Sequence, residues 1–130
     1  MISRYSREEI SKIWSREEKF SYYLKVEIAV LEAYFELGKI NSEALSHIKK
    51  TAKFDLNRMD EIERVVGHDV IAFLTSVNEN VGEKYSGLIH KGLTSSDVID
   101  TAFALQIRDS ADIILKDLDE VIEAFLALAK

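Results

Sequence analysis

Residues 95–130 read SSDVIDTAFALQIRDSADIILKDLDEVIEAFLALAK and decide the fold class. The stretch contains neither proline nor glycine, so one helix can run through it for about 50 Å, at about 1.5 Å per residue. Apolar residues recur in it at alternating spacings of three and four, which is the pattern of a helical-bundle seam. These residues are Leu115, Leu118, Ile122, Phe125 and Ala129. We therefore expect a long helix whose seam packs against other helices.

The residues before this stretch also favour helices. The chain has no proline, and its five glycines lie between apolar-periodic stretches, so both helix breakers stay outside the predicted elements. Capping boxes that begin at Ser6 and Ser15 predict helices over about 7–14 and 16–37. The second helix has an apolar stripe, which we expect to face the core. Its members are Phe20, Leu24, Ile28, Leu31 and Phe35.

Three shorter helices are predicted in the middle of the chain. The first covers 42–51, the second is capped by Asp55 and ends at Gly67, and the third begins near Asp69. The segment over 82–92 lies between two glycines and is predicted as a loop. We expect the apolar positions of the second and third helices to face inward. They are Leu56, Met59, Ile62 and Val66 in the second, and Val70, Phe73, Leu74 and Val77 in the third.

These patterns predict an all-α protein in two parts. Residues 1–93 would form a small N-terminal helical domain, and residues 94–130 would start a bundle of long helices. A single helix cannot bury its own seam, so we expect the partners of the seam in further sequence or in other subunits. The chain is therefore expected to be a fragment. The alternative is a complete small helical protein that dimerises through the long helix.

Composition excludes several classes of protein. Hydrophobic residues make up 47% and charged residues 31% of the chain, which is typical of a globular domain rather than a disordered one. A net charge of −6 disfavours a nucleic-acid partner, which needs a basic face. The absence of cysteine excludes a disulfide framework and a thiolate metal site. With neither a signal peptide nor an apolar stretch of membrane-spanning length, we expect a cytoplasmic protein.

Two histidine-containing segments stand apart from the core pattern. One is Gly67-His68-Asp69, directly after a helix break, and the other places His90 just before Thr94 and Ser95, where the long helix begins. A hydroxyl-rich helix start offers free N–H groups and the positive end of the helix dipole, which suit a carboxylate or a phosphate. Plain N-capping explains the same residues. The residues alone leave both interpretations open.

The same segments resemble the adenylosuccinate lyases, a family of the fumarase/aspartase superfamily. HKGLTSSDVIDT at 90–101 is similar to the family's H-x-G-L-T-S-[ST]-D-V-x-D-T stretch, and HDVIAF at 68–73 to its H-D-V-V-A-F segment. RYS at 4–6, followed by Trp14, resembles the R-Y-S…W opening, and LKVEI at 24–28 the L-x-V-E-[IL] helix. The resemblance runs through the whole chain but covers only about the first third of a typical member.

The resemblance implies an aspartase-like helical fold and a β-elimination. Adenylosuccinate would be split into AMP and fumarate, and SAICAR into AICAR and fumarate. A base removes a proton beside a carboxylate, and an acid protonates the departing nitrogen. Charge grows on the carboxylate, so donors aimed at it lower the barrier. The resemblance further implies a homotetramer in which each active site combines residues of several subunits. It implies a reaction that needs neither a cofactor nor a metal.

The resemblance also implies roles for individual residues. Thr94 and Ser95 match positions that hold the succinyl group, and His90 fits a donor to the phosphate. His68 matches an active-site histidine that contacts substrate and supports the acid/base pair, with Asp69 orienting it. Two further residues, Arg4 and Tyr5, match positions that contact the nucleotide. At Gly67 the family often has a basic or polar residue, so only a backbone contact carries over there.

Two catalytic segments of the family do not occur in this chain. The principal catalytic histidine lies in a downstream T-x-x-H segment, and the catalytic serine lies on an S-S-x-M-P-x-K-x-N-P loop. The isolated chain is therefore expected to be inactive. Two alternatives remain: a carboxymuconate cycloisomerase, whose H-x-G-x-T-S-x-D stretch is similar, and a non-enzymatic helical oligomerisation domain.

Overall fold

The structure is a computed structural model that describes residues 3–129. Within that range a 3-10 turn at Ser3–Tyr5 precedes seven α-helices, and no β-strand occurs. The helices are α1 (Glu8–Ile13), α2 (Arg16–Glu36), α3 (Ser42–Thr51), α4 (Leu56–Val66), α5 (Asp69–Val81), α6 (Glu83–Ser86) and α7 (Ser95–Leu128). The predicted all-α class and the long final helix are confirmed.

Local capping explains why most helix starts could be predicted. The side chains of Ser15 and Asp55 accept hydrogen bonds from the backbone N–H groups of Glu18 and Arg58, at 3.1 and 2.9 Å, which satisfies N–H groups that a helix start leaves unpaired. The first helix begins one residue later than predicted. Arg7 takes the N-cap position there without a capping hydrogen bond from its side chain, and its guanidinium forms ion pairs with Glu9 and with Asp117 of α7.

The segment predicted as a loop contains the short helix α6, so that prediction is wrong in part. Its residue Tyr85 is buried, and its hydroxyl donates a hydrogen bond to Glu43 at 2.7 Å. The Tyr85 ring also lies 5.0 Å from the ring of His47, whose Nε2 bonds to the carbonyl of Val81 at 2.9 Å. His47 is exposed, as expected of a solvated helix residue, and these contacts also help to hold this turn against α3.

The core lies between α2, α4, α5 and the first half of α7. Its centre is a group of rings in which Phe73 stacks on Phe20 at 5.7 Å and meets Tyr23 edge-on at the same distance. The predicted stripe of α2 is correct up to Leu31 but wrong at Phe35, which is 42% exposed. Phe35 instead lines a surface groove beside Leu45 and Lys49 of α3. Val66, at the end of α4, is also exposed, against its predicted inward position.

Helix α7 is covered on one face by α1 and α2. Its buried residues recur at every fourth position: Val98, Ala102, Gln106 and Ser110. The buried Gln106 amide donates to the carbonyl of Ile13 at 2.8 Å, and the indole N–H of Trp14 donates to the Ser110 hydroxyl at 3.0 Å. Beyond Ser110 the apolar side chains of α7 are mostly exposed. No helix within residues 3–129 has the length and hydropathy of a membrane-spanning segment.

Candidate functional site

The backbone at His90 adopts a conformation that few residues accept. Its φ is +60°, the left-handed region, and it is the one non-glycine residue with positive φ among the described residues. A side chain in that region costs about 1–2 kcal/mol and persists only where surrounding contacts hold it. Such strain is often stored at ligand sites, so the contacts of His90 indicate what the fold is positioning.

Two contacts from Glu27 of α2 hold His90. The backbone N–H of His90 donates to Glu27 Oε2 at 2.9 Å, and its Nδ1 lies 2.6 Å from Glu27 Oε1. The Glu27 side chain is only 1% exposed. Buried carboxylates are rare unless their oxygens are paired. The pair thus anchors the histidine from inside the protein.

Tyr34, two turns further along α2, holds the same loop. Its hydroxyl donates to the carbonyl of Lys91 at 2.7 Å. At Gly92, with a φ of +76°, an added Cβ would lie 3.0 Å from that hydroxyl oxygen, so a larger residue would displace the bond. The loop therefore has a fixed shape where it enters α7.

The predicted ligand residues Thr94 and Ser95 lie at the start of α7. Thr94 is the N-cap residue, and its backbone N–H donates to the Asp97 carboxylate at 2.8 Å, which is one half of a capping box. Asp97 satisfies the Thr94 N–H and complements the helix dipole. The capping interpretation is thus correct for Asp97, whereas binding by Thr94 and Ser95 stays a prediction.

The first histidine segment connects α4 to α5. Gly67 ends α4 with a φ of +66°, a conformation that glycine adopts without strain. His68 is the N-cap of α5, where Nδ1 accepts a long hydrogen bond of 3.4 Å from the N–H of Ile71. Asp69 Oδ1 lies 3.8 Å from that ring nitrogen, beyond hydrogen-bonding distance, and Oδ2 lies 3.5 Å from the Lys19 ammonium.

Both histidine segments are attached to α2, but at different turns. Asp69 contacts Lys19, whereas His90 contacts Glu27. Eight residues separate these two positions of α2, which is about 12 Å along the helix axis. The structure therefore places both segments along one helix without bringing the two rings into direct contact.

Arg4 and Tyr5 lie before α1, away from the start of α7. The Arg4 guanidinium lies 4.8 Å from the centre of the Tyr5 ring, and Tyr5 is 75% exposed. Nearby, Arg7 is paired with Asp117, which is about 33 Å along α7 from Ser95 at ~1.5 Å per residue. Three residues of chain span at most about 10 Å. Because the Arg7 and Asp117 side chains together reach about 10 Å, a single copy of the chain keeps the backbone of Arg4 and Tyr5 about 10 Å or more from the start of α7.

The sequence motifs did not assign a role to Glu27 or Tyr34. Glu27 lies within the quoted LKVEI segment, between the apolar residues Val26 and Ile28. A carboxylate on the inward side of an amphipathic helix is the signal that identifies it, but its partner is 63 residues away in the chain. Among residues 3–129 no group of three or more His, Cys, Asp or Glu side chains is arranged to hold a metal ion.

Comparison with known proteins identifies the family. A family model described as Lyase matches residues 2–130. The chain belongs to this lyase family. It is 55% identical over 124 residues to an adenylosuccinate lyase of Synechocystis sp., a match that covers 95% of the chain and 28% of that relative.

Two solved structures of the same kind of fold are similar over most of the chain. One is a fumarate lyase from Mesorhizobium sp. BNC1, with a TM-score of 0.83, 27% identity, and coverage of 95% of this chain and 30% of that one. The other is a β-carboxy-cis,cis-muconate cycloisomerase from Acinetobacter calcoaceticus, with a TM-score of 0.79, 27% identity, and coverage of 90% and 29%. The chain spans less than a third of each of these three proteins.

Proposed function

We propose that this chain supplies part of the active site of an adenylosuccinate lyase, which releases fumarate from adenylosuccinate and from SAICAR. The observation that carries the proposal is the 55% identity to an adenylosuccinate lyase over 95% of the chain. The anchored His90 loop adds support, because it leads directly into the start of the longest helix. The expected cellular location is the cytoplasm.

In this proposal the start of α7 holds the substrate. Thr94 and Ser95 bind the succinyl carboxylate on which charge grows, where the helix dipole favours an anion. His90 meets the phosphate. The exposed ring of His68 contacts the substrate near the reacting carbon, and Gly67 and Asp69 shape that turn.

The acid and the base come from sequence that the relatives have and this chain does not span. Residues 94–130 start the bundle through which a homotetramer assembles, and residues 1–93 form the smaller helical domain. Arg4 and Tyr5, which lie close to Arg7 and so near the Asp117 end of α7, complete the site of a neighbouring subunit rather than their own. The exposed apolar face of α7 is the surface by which subunits meet.

A fumarate-release assay tests the proposal in two parts. The full-length protein that carries this chain should convert adenylosuccinate to AMP and fumarate, whereas the isolated 130 residues should release no more fumarate than a boiled control. Fumarate release by the isolated chain would contradict the assignment of acid and base to other sequence. Absence of turnover by the full-length protein would contradict the proposed adenylosuccinate lyase activity.

The cycloisomerase remains a second candidate, because a structure of that activity matches with a TM-score of 0.79. The chain has Asp69 after His68 and the RYS opening, both of which favour the purine substrate. Parallel assays with adenylosuccinate and with β-carboxymuconate decide between the two. Turnover of carboxymuconate alone would replace the proposal.

A further inference from the structure

Glu27 has no role in the function proposed above, yet its side chain is almost completely buried and both of its oxygens are used. Both contacts go to one residue, His90. A buried carboxylate that served packing alone would be costly compared with an apolar side chain of similar size. The arrangement instead fixes one particular state of the histidine ring.

With Glu27 ionised, the donor and acceptor pattern determines that state. The backbone N–H of His90 can only donate, so Glu27 Oε2 accepts its bond. An ionised carboxylate has only acceptors, so the 2.6 Å contact to Oε1 requires a proton on Nδ1. Nδ1 is thereby occupied, and Nε2 is the ring atom that a ligand would meet.

We propose that Glu27 is a positioning residue, which selects the Nδ1–H form of His90 and presents Nε2 to an anionic group of the substrate as part of a Glu27–imidazolium pair. A neutral ring in this form offers only an acceptor at Nε2, so it binds a phosphate or carboxylate once Nε2 is also protonated. The buried carboxylate then lies beside the cation and balances its charge. The substrate part of this inference rests on the proposed function; the ring state does not.

Replacement of Glu27 by glutamine reverses the pattern while keeping the size of the side chain. The amide oxygen still accepts from the His90 backbone N–H, but the amide NH₂ faces Nδ1 and requires an acceptor there. The ring then adopts the Nε2–H form with both contacts retained. Glu27→Asp is the complementary variant, because it keeps a carboxylate and shortens its reach.

Nitrogen NMR of the protein labelled with ¹⁵N at histidine measures the ring state. With resonances identified by their loss in His90→Asn, the wild-type ring should carry a proton on Nδ1, whether Nε2 is protonated or not. Glu27→Gln should lose the Nδ1 proton and carry one on Nε2, and Glu27→Asp should keep the Nδ1 proton. Glu32→Gln, the same change at an exposed residue of α2 that pairs with Lys49, is the matched control and should change nothing. A wild-type ring without a proton on Nδ1, or an unchanged ring in Glu27→Gln, would overturn the inference.

Kinetics of the full-length enzyme test the ligand part. Because His90 binds and does not react, Glu27→Gln should raise KM for adenylosuccinate about tenfold and leave kcat within about threefold, whereas Glu32→Gln keeps both. Equal KM values in Glu27→Gln and wild type, together with a switched ring, would overturn the presentation of Nε2 to the substrate. If no variant and no wild-type protein cleaves adenylosuccinate, the proposed function fails, and the NMR result alone decides the role of Glu27.

Discussion

The two faces of α7 differ in a way that hydropathy alone does not predict. The face against α1 and α2 buries two polar residues, Gln106 and Ser110, beside Val98 and Ala102. The other face leaves large apolar side chains bare, as at Leu118, which is 53% exposed. Leu118 lies about 160° around the helix from Ala102, at about 100° per residue. Whether a residue of α7 is buried depends on whether another helix packs against it. Gln106 and Trp14 form hydrogen bonds across the contact between α7 and the α1 region. Leu118, by contrast, has no helix packed over it among the described residues.

The largest expected effect comes from a charge on the covered face. Ala102 is completely buried, so Ala102→Asp would place an unpaired carboxylate in the core and lower the free energy of unfolding by about 3 kcal/mol or more. Ala104→Asp is the matched control, two residues later on an exposed position of the same helix, and should cost about 1 kcal/mol or less. Urea denaturation of both variants measures the difference. Equal losses would mean that α7 does not pack as described.

The bare face predicts association. The chain should self-associate or bind an apolar dye at concentrations of about 100 μM, and Leu118→Asp should weaken the association at least about tenfold, because it places a charge in the apolar contact. Ala124→Asp, an exposed change of equal charge about 120° away around the helix, should have little effect. Sedimentation equilibrium distinguishes these outcomes. A strictly monomeric wild-type chain that binds no dye would contradict the expectation that the exposed face of α7 is an association surface.

The third prediction concerns the first turn of α7, where capping and ligand binding make different demands. If Thr94 and Ser95 hold the succinyl carboxylate, Thr94→Ala and Ser95→Ala should each lower kcat/KM of the full-length enzyme about tenfold or more, at about 1.4 kcal/mol per decade. If they only cap, each costs about 0.5–2 kcal/mol of stability and leaves the kinetics of the folded fraction unchanged. Melting temperature and kinetics are measured on the same samples. Wild-type kcat/KM in well-folded variants would show that Thr94 and Ser95 cap the helix and do not bind the substrate.

Local signals explain how much of this structure could be predicted. Helix bounds depend on capping residues that act on backbone groups a few positions away, such as Ser15, Asp55 and Gly67. They could therefore be predicted from the sequence. Contacts between distant residues were not: nothing local pairs Glu27 with His90, 63 residues away. The same limit applies to the site, since motif resemblance groups Arg4 with Thr94. In the fold Arg7, three residues after Arg4, pairs with Asp117, about six turns of α7 beyond Thr94.

The smallest expected effect is a pH dependence at the far end of the covered face. The Tyr22 hydroxyl of α2 donates to the Asp109 carboxylate of α7 at 2.6 Å, and burial together with this bond raises the pKa of Tyr22 from 10.0 to about 12. A raised pKa means that the folded protein keeps a proton that the unfolded chain has lost, so this contribution to stability is complete below pH 10 and is lost as the pH rises towards 12. Urea unfolding at pH 9, 10 and 11 should show a decline that is smaller in Tyr22→Phe, while the exposed-residue control Tyr5→Phe keeps the wild-type slope. A smaller decline in Tyr22→Phe would show that the Tyr22–Asp109 hydrogen bond stabilises the packing of α7 on α2. An identical slope in Tyr22→Phe and wild type would show that this bond contributes nothing to the pH dependence of stability.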